Sequence, residues 1–271
     1  MKAKNRAFWL NVSQLLFLLF AVVFLVSAVM LGTHFYRERK EQRTFEGLSA
    51  IVEGTAEQPE QDDGQQDSSS VSAVPAEEPT KLDRYRQLQE MNPDFFGWLS
   101  IAGTALDYPV MYKPDTEDYY LKRAFDGSKS KSGVPYMDES CFPGCGNYLI
   151  YGHNMKNGTV FAPLLSYAAQ TFWEEYPTIS FDTLDGEGEY QIMAAFYSRV
   201  YAVDEQNVFR YYAYTDLSDP AVFAEYVSLV QECSLYDTGV SAEYGDELIT
   251  LSTCSYQTKN GRFVVVARKQ D

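Results

Sequence analysis

The run from Leu15 to Leu31 narrows most what this chain can become. These 17 residues, "LLFLLFAVVFLVSAVML", hold no charged side chain, and no Asp, Glu, Lys or Arg occurs between Arg6 and Arg37. Such a stretch approaches the roughly 20 apolar residues that carry a helix across a bilayer. No small-x-small cleavage site followed by a mature start stands out, so a retained single-pass anchor is expected instead of a cleaved leader. Lys2, Lys4 and Arg6 precede the span, and Arg37, Arg39, Lys40 and Arg43 follow it. Counting positive charge therefore leaves the orientation open.

Residues 44–80 carry nine acidic side chains and no Lys or Arg. From Val52 to Thr80 the chain is rich in Glu, Gln, Ser and Pro and contains no aromatic residue. Too little apolar surface is available there to offset the entropy of ordering, which predicts a disordered acidic spacer over 44–80. Residues 1–43 then form a stub, the transmembrane anchor and its basic flank, and residues 81–271 form one compact domain. The net charge of −16 argues against nucleic acid as a partner, because phosphate recognition needs basic stripes.

Within 81–271, "KLDRYRQLQEMNP" places Leu82, Tyr85 and Leu88 at helical spacing and stops before Pro93. Short apolar runs then alternate with Gly, Pro, Asn and Asp: "GWLSI", "LDYPVMY", "GVPYMD", "NYLIYG", "YQIMAAFYSRVYAV", "ELITLSTC" and "RFVVVARK". That rhythm predicts a mostly-β sandwich or barrel. Two helices interrupt it, one over "VFAPLLSYAA" and one over "DPAVFAEYVSLVQECS", the latter with Asp219 as N-cap and Pro220 at its first position.

The last two runs read as a hairpin, Glu247–Cys254 and Arg262–Lys269, with Asn260-Gly261 supplying the turn. Folding it back sets Cys254 opposite Arg262, about 5 Å apart at Cβ. Arg268 lies roughly 20 Å further along the strand and is too far to serve the same sulfur. A thiol nucleophile needs a proton-transfer partner, most often His. The chain has two histidines. His34 ends the membrane span, which leaves His153 in "NYLIYGHNMKNGTVFAPLLSY".

"LSTC" at 251–254, followed by Arg262 in "RFVVVA", resembles the signature of the sortases, cysteine transpeptidases of Gram-positive cell surfaces. "YGHNM" at 151–155 resembles their histidine motif. "NPDFFGWLSI", "LDYPVMYKPDTEDYYLKRAFDG", "GVPYMDES" and "YGHNMKNGTVFAPLLSY" resemble the class B branch, and the likeness spans nearly all of residues 85–269. It implies a closed sortase-type β-barrel with a few peripheral helices, and no cofactor. Cys254 would form a thioacyl-enzyme at a threonine of a C-terminal sorting signal, His153 would exchange the protons, and Arg262 would stabilise the oxyanion. The partners implied are secreted proteins bearing sorting signals and an amine of a peptidoglycan precursor. A membrane position with the N-terminus inside and the domain outside follows, as does a peptide groove using Leu121, Ser252, Val208 and Phe209. Pilin polymerisation and a catalytically idle surface-binding module are the alternative functions. A thiolate–imidazolium pair fits Cys254 and His153 as a papain-like reading, whereas the resemblance implies a mostly neutral pair.

Three cysteines remain. "CFPGC" can close a small disulfide loop between Cys141 and Cys145 outside the cell. The spacing of Cys141, Cys145 and His153 is atypical for zinc, so no metal is expected. Asp138, Glu139 and Asp246 read as solvated carboxylates.

Overall fold

The computed structural model describes residues 2–55 and 79–270. The chain divides into two compact units, with the boundary between Glu46 and Gly47. Helix α1 runs from Lys2 to Glu53. Its segment Leu16–Thr33 is long and apolar enough to cross a membrane. At 1.5 Å per residue those 18 residues extend about 27 Å, and Phe17, Phe20 and Phe24 stand exposed along them.

The expected spacer begins later than its composition suggests. Residues 44–53 continue α1, and Leu48 and Val52, one helical turn apart, are buried. Ser49 Oγ donates to the Asp107 carboxylate, and Arg84 Nη1 donates to the Val52 carbonyl at 3.0 Å. Phe45, Leu48 and Val52 form a helical stripe that a reading by charge alone overlooks. The rest of the predicted spacer, 56–78, lies outside the described residues.

Helix α2, Lys81–Met91, starts at Thr80, whose side chain and that of Asp83 cap each other's backbone N–H. Tyr85 and Leu88 face inward. Eight strands follow: β1 Phe95–Ser100, β2 Asp107–Met111, β3 Tyr136–Met137, β4 Asn147–Tyr151, β5 Thr178–Thr183, β6 Glu189–Arg199, β7 Leu248–Cys254 and β8 Gly261–Lys269. They close into a barrel in the order β1-β2-β3-β4-β7-β8-β6-β5, with β5 pairing back to β1. The β2–β3 and β4–β7 pairs are parallel, and the others are antiparallel. The mostly-β closed barrel is thus the fold. Strand β5, in "TISFDT", is absent from the apolar runs singled out in the sequence.

The helix expected over "VFAPLLSYAA" is a 3₁₀ turn, Ala162–Ala168, burying Leu164 and Tyr167 at its three-residue period. Helix α3, Gln170–Glu175, continues it. Helix α4, Pro220–Cys233, has Asp219 accepting from the N–H groups of Ala221 and Val222, as its sequence predicts. Phe223, Tyr226, Val227 and Val230 form its buried face, and the Tyr226 hydroxyl bonds Thr250 Oγ1 on β7. The first six residues of β7 are buried, and Cys254 is the first to emerge. A strand covered on both faces delivers its terminal residue with little freedom.

One buried carboxylate joins α2 to the barrel. Asp182 on β5, 2% exposed, accepts from Tyr85 Oη at 2.7 Å and from Gly188 N at 3.1 Å, with Lys81 Nζ at 2.6 Å. Burial, and then Asp182 itself, push the Tyr85 phenol far above its ordinary range, so it stays a donor. Removing the carboxylate leaves that donor unsatisfied, whereas the half-exposed Lys81 can turn to water. Asp182→Ala is expected to lose about 2–3 kcal/mol of stability in urea unfolding, with Lys81→Ala losing under about 1 kcal/mol.

Candidate active site

Two neighbouring strands and the segment just beyond a third each bring one side chain to the same end of the barrel. On β7 and β8, Cys254 pairs directly with Arg262. On the other flank, β4 runs parallel to β7 with Tyr151 level with Ser252. Just past β4, Gly152 still bonds β7 at Ser252 O, and His153 follows it. Adjacent strands lie about 4.8 Å apart, so the thiol is flanked by the imidazole-bearing and guanidinium-bearing segments.

Local sequence fixes each segment. The β7–β8 connection closes through Ser255 N to Gly261 O at 2.9 Å. Asn260 takes the left-handed conformation, with φ of 57°. Gly261 is already the first residue of β8, and a Cβ there would come within 2.5 Å of the Ser255 carbonyl. The expected Asn260-Gly261 pair therefore splits its work, one residue for the turn and one for close approach. Beyond β4, Gly152 N donates to Ser252 O at 3.1 Å and Thr253 Oγ1 donates to Gly152 O at 2.7 Å. A Cβ on Gly152 would lie 2.5 Å from the fully buried Phe161 ring.

His153 Nε2 lies 2.8 Å from the Leu121 carbonyl. A carbonyl oxygen only accepts, so Nε2 carries a proton and Nδ1 is the nitrogen left for exchange. Leu121 thus acts on the site through its backbone as well as by lining it. Asn154 Nδ2 donates to the Cys254 carbonyl at 3.0 Å, a bond across 100 residues that sequence reasoning missed. Arg262 Nη1 donates to Gly261 O at 3.1 Å. Among the described residues Arg262 has no salt-bridge partner, so most of its fork of donors remains available.

These groups share one pocket of about 380 Å³, lined by Leu121, His153, Ser252, Cys254 and Arg262 among others. Val208 and Phe209 are not among its lining residues. Phe209 packs instead with the rings of Phe196, Tyr214 and Tyr226 at 5.7–6.0 Å between centroids. The aromatic loop supplies Tyr211 and Tyr212 to the pocket in their place. Tyr211 Oη bonds Ser252 Oγ at 2.7 Å, and burial pushes its phenol up to about 12.

Of the carboxylates read as solvated, Glu139 is exposed and Asp138 is half-buried, and both border the pocket. Glu117, Asp118, Asp138 and Glu139 line the pocket. The Tyr136 hydroxyl donates to Asp118, and Tyr151 Oη donates to Asp138 at 3.1 Å. Burial raises both phenols far above their ordinary range, so they remain neutral donors. Asp246 lies 3.6 Å from Arg268, which settles that arginine away from the pocket. Among the described residues no group of three or more His, Cys, Asp or Glu side chains is placed to hold a metal.

A family model described as "Sortase domain" matches residues 99–270. Sortase B of Listeria monocytogenes is 30% identical over 250 residues, covering 90% of this chain and 90% of the relative. Sortase B of Staphylococcus aureus is 28% identical over 189 residues, covering 68% and 74%. A solved structure of the Staphylococcus aureus sortase B–substrate complex superposes with a TM-score of 0.69 at 22% identity, covering 87% of this chain and 99% of that one.

Proposed function

We propose a reaction for this chain from one premise: it belongs to the sortase family and is a cysteine transpeptidase of the sortase B type. Cys254 gives its thiol proton to His153 Nδ1 and attacks the carbonyl carbon of a threonine in a C-terminal sorting signal. The tetrahedral oxyanion is held by Arg262, and the bond to the following residue breaks as His153, through Nδ1, protonates the departing amine. A thioacyl-enzyme remains. An amine of a peptidoglycan precursor then loses its proton to His153 and attacks, and the thiol is restored as the protein passes to the wall. The observation that carries this reading is that Cys254, the direct cross-strand partner of Arg262, shares one pocket with His153.

The pocket's neutral tyrosines and the Leu121 and Ser252 walls suit an extended peptide. The Staphylococcus aureus enzyme's complex with a substrate supports a peptide in this groove. The apolar segment Leu16–Thr33 then serves as a single-pass anchor in the cell membrane, N-terminus inside, with residues 81–271 facing an exported substrate and a lipid-linked acceptor.

Intact-mass spectrometry on the full chain in detergent tests the reading. Incubation with a panel of sorting-signal peptides should add the N-terminal fragment of one peptide, and one amine should discharge it. If no peptide forms an adduct while an alkylating reagent still labels Cys254, the transpeptidation reading fails and a binding module replaces it. Transfer to a lysine side chain alone would mark pilin polymerisation instead. A positional test also follows. Gly152→Ala must displace either Phe161 or the His153 segment, and a shift of about 1 Å in a reacting group lowers rates on the order of 10²-fold. Its kcat should fall by that order while the labelling of Cys254 by iodoacetamide changes little.

A further inference from the structure

The buried thiols of Cys141 and Cys145 take no part in the proposed reaction. Both are unbonded to another sulfur and buried, at 1% and 0% exposure. One buried cysteine is ordinarily an inert, small apolar side chain. Here, however, two sulfurs converge on one atom: Cys141 Sγ lies 3.5 Å and Cys145 Sγ 3.2 Å from the Asn147 carbonyl oxygen. The neighbouring Cys145, and then burial, push the Cys141 thiol up, while Cys141 draws Cys145 down. One member is thus the readier nucleophile, and the other keeps its proton until the second step.

The chain between them is short and open. Phe142, Pro143 and Gly144 are exposed, and Cys145 N donates to Phe142 O at 3.0 Å, so the segment turns back on itself. Gly144 has φ of 83°, which lets the turn bring the two sulfurs to the same side. The segment is the β3–β4 connection. Its other residues Asp138, Glu139 and Ser140 line the active-site pocket. Tyr112 Oη donates to Cys141 O, and Leu217 N donates to Cys145 O at 2.7 Å, anchoring both ends.

We propose that Cys141 and Cys145 are a redox site that closes to a disulfide when a low-molecular-weight disulfide is the oxidant, stapling the β3–β4 connection behind the pocket wall. As the exposed turn 142–144 opens, the Cys145 thiolate attacks one sulfur of the donor, forming a mixed disulfide and expelling one thiolate. Cys141 then gives up its proton and attacks Cys145 Sγ, expelling the second. Two thiols and one donor disulfide become one protein disulfide and two small thiols, with no other reactant. This chemistry belongs to the barrel itself and does not depend on the transpeptidation reading.

The test uses the full chain in detergent, incubated with glutathione disulfide or with excess dithiothreitol, then alkylated in denaturant and cut with trypsin. Cys141 and Cys145 share the peptide Ser132–Lys156. After oxidation that peptide is expected unalkylated and lighter by two hydrogens, and after reduction doubly alkylated. The oxidised chain should melt about 5 °C higher, the shift expected from closing so small a ring, with slower hydrogen exchange over 138–147. Cys141→Ser/Cys145→Ser should lose both differences. A peptide alkylated twice under both conditions, or one that stops with glutathione on either cysteine, overturns the proposal. The peptide map of the unsubstituted chain decides the matter even if the double variant does not fold.

Discussion

The Cys254→Ala chain is expected to form no peptide adduct and to lose at least roughly 10⁴-fold in turnover, the scale on which removal of a nucleophile registers. It should remain folded, because the half-exposed side chain lies at the end of β7 and the strand's contacts are elsewhere. Its backbone carbonyl still accepts from Asn154, and the register with β8 is untouched. His153→Gln separates the two proton transfers from the nucleophile. A glutamine amide N–H can still donate to the Leu121 carbonyl in place of Nε2, but the exchanging Nδ1 is gone. Losing a general acid–base group lowers turnover by roughly 10²–10⁴-fold. An ester in place of the scissile amide needs no protonated amine to leave, so it should restore part of the acylation of His153→Gln while the adduct still discharges slowly to an amine. If His153→Gln handles amide and ester with the same deficit, His153 is a positioning residue and the acid–base assignment falls. The readout is intact mass against time for both peptides.

Much of this site is legible because it is built from local patterns that combine simply. The alternation in "ELITLSTC" and "RFVVVARK" predicts two strands, and their pairing sets Cys254 against Arg262 as the structure has it. Placing His153 beside them requires the parallel β4–β7 pairing, a non-local contact that periodicity does not encode; there the sequence resemblance supplies what the residues alone leave open. The readings that failed did so for the same reason. Phe209 carries the right chemistry for a groove, yet its half-buried ring packs with those of Phe196, Tyr214 and Tyr226 and does not line the pocket. Asp138 reads as solvated because nothing adjacent in sequence announces that Tyr151, 13 residues on, donates to it. Strand β5 alternates too many polar residues to register as an apolar run, because Asp182 spends its charge on partners from α2 and the following turn. The helical end of α1 is concealed by the acidic composition around it, although Leu48 and Val52 are buried.

Arg262→Ala is expected to lower kcat/KM by roughly 10²–10³-fold, the effect of removing one preorganised donor from a developing oxyanion. The loss should fall mainly on kcat, because the oxyanion exists in the transition state and not in the bound peptide. Three features of the residue support that partition. It is the direct cross-strand partner of Cys254, it spends one donor on its neighbour's carbonyl, and no carboxylate among the described residues engages its charge. Its field also reaches the pocket phenols, lowering Tyr136 and Tyr211 against the burial that raises them. Arg262→Lys keeps the charge but replaces a planar fork by a point donor on a shorter, freer stem. It should recover only part of the loss. Alkylation of Cys254 by iodoacetamide passes through no carbonyl oxyanion, so its rate should stay within about threefold in Arg262→Ala if the guanidinium acts on the oxyanion. A parallel fall in alkylation and turnover would show instead that Arg262 activates the thiol itself, and a rise in KM with kcat preserved would make it a binding contact for the peptide. Measuring kcat, KM and the alkylation rate on the same preparations separates the three roles.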